Sequence, residues 1–204
     1  AYWHYVNHNG LLESIEQQMN QLHDYRDLEQ LKKVGAAIRN LFLRAQMPSD
    51  LATQIIDAYN QLGKEYRQNK LSVAVRSSAT AEDLPTASFA GQQESFLNIV
   101  GDYQLIESCK KCFASLFTDR AIVYRHDNGF DYKSIALSIA IQKMVRSDVG
   151  ASGVAFSLDT ESGFKNTILI NGSYGLGEAI VQGIVVPDEW IVFKPTLERG
   201  NNPI

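Results

Sequence analysis

The periodicity of apolar residues changes abruptly near Lys70. Before it, Leu11, Leu12, Ile15, Met19 and Leu22 recur at helical spacing. So do Leu28, Leu31, Val34, Ile38 and Leu41, and then Leu51, Ile55, Tyr59 and Leu62. Three amphipathic helices are expected, the first irregular near Asn9-Gly10. Asp27 and Ser49 stand where N-caps belong, and Pro48 closes the segment before. After Lys70 the pattern alternates: Leu71–Arg76, Glu94–Ile99, Ile135–Val145, Gly153–Leu158, Thr167–Asn171 and Glu189–Phe193 read as strands, with helices over Tyr103–Phe117 and Asp119–His126. The chain is therefore expected to be α+β: a helical N-terminal lobe over 1–70, then a mixed, largely antiparallel sheet with helices over 71–204. With 204 residues, 45% of them apolar, it can build a real core.

Composition excludes some functions. A formal charge of −4 argues against a nucleic-acid protein working by bulk electrostatics. No apolar run reaches membrane-spanning length and no leader-like segment opens the chain, so a cytoplasmic location is the expectation. The two cysteines form a lone Cys109-x-x-Cys112 in a helical pattern. No second pair completes a zinc set, and they read as reduced, partly buried thiols. His4, His8, His23 and His126 are scattered and read as structural or surface residues. No metal-ligand set is assigned.

Between two of the strands lies "VAVRSSATAEDLPTASFAGQQESFLNI", Val73 to Ile99. Arg76 stands at its entrance and Gly91 at its exit. A loop of Ser, Thr, Ala and Gly can bring its backbone close to a ligand, and successive N–H groups form a concavity for anions. Ser77, Ser78, Thr80 and Ser88 add hydroxyls, and Arg76 adds a planar fork matched to phosphate oxygens. The combination reads as a polyphosphate clamp; a long polar hairpin with a surface arginine is the alternative. Glu82 and Asp83 would repel phosphates unless they face away or hold Mg²⁺. Residues 79–90 carry few apolar anchors, and a lid closing over phosphates is expected there. The stretch is not a Walker A loop, because a strand follows it. "GSYGLGEAIVQG" lacks the third glycine of a dinucleotide fold and reads as a strand-to-helix turn. Gln142 alternates with Ala140 and Met144, and its amide could pair with a purine edge.

The quoted stretch resembles the ATP-grasp-like nucleotide-binding domain of the phosphoenolpyruvate synthase (pyruvate, water dikinase) family, a domain type shared with pyruvate phosphate dikinases and rifampin phosphotransferases. The resemblance continues through "FASLFTDRAIVYR", "IQKMVRSDVGASGVAFSLDTESGF", "GLGEAIVQGIVVPDEW" and "KPTLE". It implies an enzyme that converts ATP, pyruvate and water to AMP, phosphoenolpyruvate and phosphate with Mg²⁺. A phosphoryl group would pass from ATP to a histidine on a phosphohistidine domain, and then to a pyruvate-binding barrel. Carried over by position, Arg76 matches the arginine that contacts the ATP phosphates. Gly91 and Ser95 match nucleotide contacts at the loop exit, and Gln142 matches a nucleotide-contacting glutamine. The family's upstream lysine, downstream metal-binding carboxylate and Gln-x-Arg-Pro motif are not found, nor are the two partner domains. The chain is thus expected to be an internal fragment carrying part of an ATP site, inactive alone. A rifampin-type phosphotransferase domain and a non-catalytic interaction module stay open as alternatives.

Overall fold

The computed structural model describes residues 1–79, 83–84, 87–88 and 94–200. It is a mixed α+β fold with eight α-helices and two three-stranded antiparallel sheets among the described residues. Two compact units divide the chain, Ala1–Met144 and Val145–Ile204.

The first unit opens with α1 (Tyr2–His8), α2 (Leu11–Met19), α3 (Leu28–Arg44) and α4 (Ser49–Glu65). Four helices stand where three were expected. Gly10 takes φ +60°, a left-handed conformation that breaks the helical path between α1 and α2. The cap expected at Asp27 is present: its carboxylate accepts from the amides of Glu29 at 3.0 Å and Gln30 at 3.2 Å. Ser49 is instead the first helical residue, after Pro48, and supplies no side-chain cap.

Strands β1 (Val73–Ala79), β4 (Ser95–Ile99) and β5 (Leu137–Lys143) form a sheet in the order β4-β1-β5, with β1 central. Two two-residue strands, β2 (Asp83–Leu84) and β3 (Ala87–Ser88), pair with each other. The expected lid otherwise lies outside the described residues. Helices α5 (Asp102–Ala114) and α6 (Asp119–Asp127) follow β4. The inner face of the sheet joins α1–α6 in one core, in which Tyr5, Ile38, Phe42, Val73, Val75, Leu105, Phe113 and Phe117 are fully or almost fully buried. Tyr59 ties this unit together. Its hydroxyl donates to the Leu71 carbonyl at 2.7 Å and accepts from the Gly101 amide at 3.0 Å, fixing the approach to β1 and the start of α5 against α4.

The second unit holds β6 (Ala151–Phe156), β7 (Thr167–Tyr174), the short α7 (Glu178–Val181), β8 (Asp188–Phe193) and α8 (Lys194–Glu198), with sheet order β6-β7-β8. Gly153 and Gly172 face each other across β6 and β7. A Cβ on Gly153 would stand 2.4 Å from the Asn171 carbonyl oxygen, so only glycine fits that crossing. Gly175, at φ +88°, makes the expected turn out of β7 toward α7. Among the described residues no helix is long and apolar enough to cross a membrane.

Candidate functional site

The chemistry expected at Arg76 depends on which face of the sheet it occupies. Val73 and Val75 are fully buried while Arg76 and Ser78 are exposed, the alternation of a strand with one covered face, with Ala74 on the outer side also buried. Directly paired residues share a face. Arg76 pairs with Ser95 on β4 and with Ala140 on β5. One step along, Ala74 pairs with Gln142, placing Gln142 diagonally from Arg76 on the same face. Ser95, Ala140 and Gln142 are all exposed. Three of the expected site residues thus share one open surface, with Ala74 and Ala140 leaving its middle free of long side chains. Gly91 lies outside the described residues.

That arrangement depends on a β-bulge. Val73 faces Ile99, but Val75 faces Phe96, one residue short of continuous pairing. The extra residue falls near Asn98, at φ +57°, a conformation asparagine tolerates better than most side chains. Beyond it, Ser95 joins Arg76 on the outer face while Phe96 packs on the core.

The polar stretch after Arg76 differs from its sequence reading. Ser77, Ser78 and Ala79 continue β1 and pair with Ile139, Ser138 and Leu137. Their backbone belongs to a sheet ladder rather than an anion-binding loop, because β5 supplies a long-range partner that local composition does not reveal. The Ser138 hydroxyl donates to the Ser78 carbonyl at 3.1 Å. The Ser77 hydroxyl contacts the Glu94 carbonyl at 3.4 Å. Thr80 and Glu82 lie outside the described residues.

The Cys109/Cys112 pair is structural and more deeply buried than expected. Both thiols are free and fully buried where α5 meets the sheet. The Cys112 sulfur lies 3.8 Å from the Val75 carbonyl, so α5 packs directly behind the strand that carries Arg76. Burial pushes both thiols up to about 12. Arg125 is a further residue the sequence did not single out. It is buried in α6, donates to the Leu116 carbonyl and lies 5.1 Å over the Phe117 ring. Burial lowers its guanidinium to about 10, with Tyr2 and Tyr25 pulling the other way. Its amphipathic helix context gave no signal for this, since arginine at such a position ordinarily faces water.

Cavities of about 530 Å³ beside α4 and about 490 Å³ along β6, β7 and β8 open elsewhere, and neither is lined by Arg76, Ser95 or Gln142. The outer face of an open three-stranded sheet is a surface, not a cavity. Among the described residues no group of three or more His, Cys, Asp and Glu gathers that could hold a metal ion.

An antiparallel sheet backed by helices, with an arginine, a serine and a glutamine on its exposed face, places the chain in the class of mixed α+β domains. The chain belongs to the family described as pyruvate phosphate dikinase, AMP/ATP-binding domain, which matches residues 1–202. It is 52% identical over 204 residues to the phosphoenolpyruvate synthase of Aquifex aeolicus. It is 53% identical over 208 aligned residues to that of Synechocystis and 47% over 203 to that of Escherichia coli. Each alignment takes in the whole of this chain but only 24–25% of the relative, so the chain spans about a quarter of these proteins' length.

Proposed function

We propose that the outer face of β4-β1-β5 binds ATP. Arg76 would contact the phosphates, Ser95 and Gly91 would contact the nucleotide at the loop exit, and Gln142 would contact it from the neighbouring row. The observation that carries this reading is the bulged register that sets Ser95 opposite Arg76 on an exposed face, with Gln142 diagonal to it. An arginine fork there binds phosphate oxygens two at a time, and a serine hydroxyl adds a donor beside it. Phosphoryl transfer depends chiefly on positioning and charge neutralisation, which is what such a face supplies. The family match and the named relatives support ATP as the ligand. They also support a role within a pyruvate, water dikinase, where this part would energise a phosphohistidine domain that delivers phosphate to a pyruvate-binding barrel. Mg²⁺ belongs to that expected reaction.

The test is ATP binding to the 204-residue chain by calorimetry. Arg76→Ala is expected to weaken binding roughly 10- to 100-fold, since a charge-assisted hydrogen bond is worth about 1.5–3 kcal/mol. Equal binding by the variant would overturn the assignment. Turnover of ATP to AMP by this chain alone is not expected, because the family's phosphate-binding lysine and acceptor histidine are not found in it.

A further inference from the structure

Away from that face, α1 presents two imidazoles to solvent. Tyr2, Tyr5 and Val6 bury one side of the helix, and the Tyr5 hydroxyl donates to the Phe42 carbonyl, so the backbone of α1 is firmly anchored. His4 and His8, four residues apart, share the opposite side, and their ring centroids lie 6.2 Å apart. Two histidines at this spacing on one helix face can close on a single ion, each nitrogen at about 2.0–2.1 Å from it.

Asp50, at the start of α4, supplies the second observation. Its carboxylate lies 3.0–3.1 Å from His4 Nε2. A carboxylate only accepts, so Nε2 is the donor, and in the neutral imidazole the lone pair is then on Nδ1. A carboxylate behind a histidine fixes tautomer and ring orientation and raises the basicity of the ligating nitrogen. The hydrogen bond from His4 also holds the Asp50 carboxyl below its ordinary range.

We infer that His4 and His8 form a two-imidazole site for a divalent first-row transition ion such as Zn²⁺ or Cu²⁺, with Asp50 orienting His4. Imidazole nitrogens suit these ions and not Mg²⁺ or Ca²⁺, and water completes the coordination. The site is smaller than a three-residue cluster, and among the described residues no such cluster exists. An ion held there would couple α1 to α4 through the Asp50–His4 pair.

The experiment is calorimetric titration of the tag-free protein with Zn²⁺, with thermal melts run in parallel. One equivalent is expected to bind and to raise the melting temperature. His4→Ala and His8→Ala should each weaken binding at least roughly 100-fold, because the second nitrogen binds intramolecularly. Asp50→Asn should weaken it about 10-fold. A His23→Ala/His126→Ala double variant should bind like the parent. All these side chains are exposed or half-exposed, so metal-free melts should match the parent and show the variants folded. Unchanged affinity in either single histidine variant, loss of binding in the double variant, or no saturable binding at millimolar Zn²⁺ would overturn the inference.

Discussion

Two arginines in the first unit show opposite uses of one side chain. Arg76 is exposed on a sheet face and contributes little to packing. Its removal should therefore leave the melting temperature nearly unchanged while ATP binding falls. Arg76→Lys should also bind poorly, because an ammonium cannot reproduce two parallel N–H donors. Arg125 is 3% exposed, and its Nη2 has no hydrogen-bond partner among the described residues. It is held by one carbonyl and an aromatic face, with its aliphatic stem in the core. Truncation to alanine removes packing and strands the Leu116 carbonyl. We expect a loss of about 3 kcal/mol in urea unfolding, within the range seen when one partner of a buried charged contact is removed. Arg125→Met should recover part of that loss by refilling the volume.

At the scale of elements, α5 shows how burial sets chemistry. The folded state raises the Cys109 and Cys112 thiols to about 12, from an unfolded value near 9. Between those values the unfolded chain has lost its thiol protons and the folded chain keeps them. Stability from this source is intact below about pH 9 and declines as pH rises toward 12. At pH 8 neither thiol should react with a disulfide reagent in the native protein, and two should react per chain in urea. That count is the measurement that checks the packing of α5. Helices α2 to α4 could be read from sequence because each carries a covered stripe at 3.6-residue spacing and little else to confuse it. The end of β1 could not. Ser77 and Ser78 have the composition of a loop, and only their pairing with Ser138 and Ile139, some sixty residues away, makes them strand. Arg76 and Gln142 were recognisable as residues from their motifs, whereas their placement on a common face depends on register, a long-range property. Arg125 gave no local signal at all. Its burial follows from how α6 meets Phe117 and α1.

At the scale of the molecule, the two units are unequal. Nearly the whole core lies within Ala1–Met144. In the second unit only Thr167 and Val192 are buried among the described residues, while Val145, Tyr174, Val181 and Val186 are at least three-quarters exposed. A segment of about 60 residues is marginal even with a good core, because so little of its surface can be removed from water. Residues 1–144 expressed alone should therefore unfold cooperatively in urea, and residues 145–204 alone should show no cooperative transition. Comparable cooperative transitions in the two pieces would contradict this distribution of the core.

The bulge in β4 makes the candidate site a matter of parity. A strand assigns odd and even residues to opposite faces, so a single extra residue exchanges the two sets. Were the bulge lost with Asn98 retained and pairing made continuous from Val73 and Ile99, Phe96 would stand opposite Arg76 and Ser95 would turn toward the core. The sequence of the strand would not change at all, yet an aromatic ring would replace the hydroxyl beside the arginine. For this face, flattening the bulge is a larger alteration than exchanging any one side chain of β4.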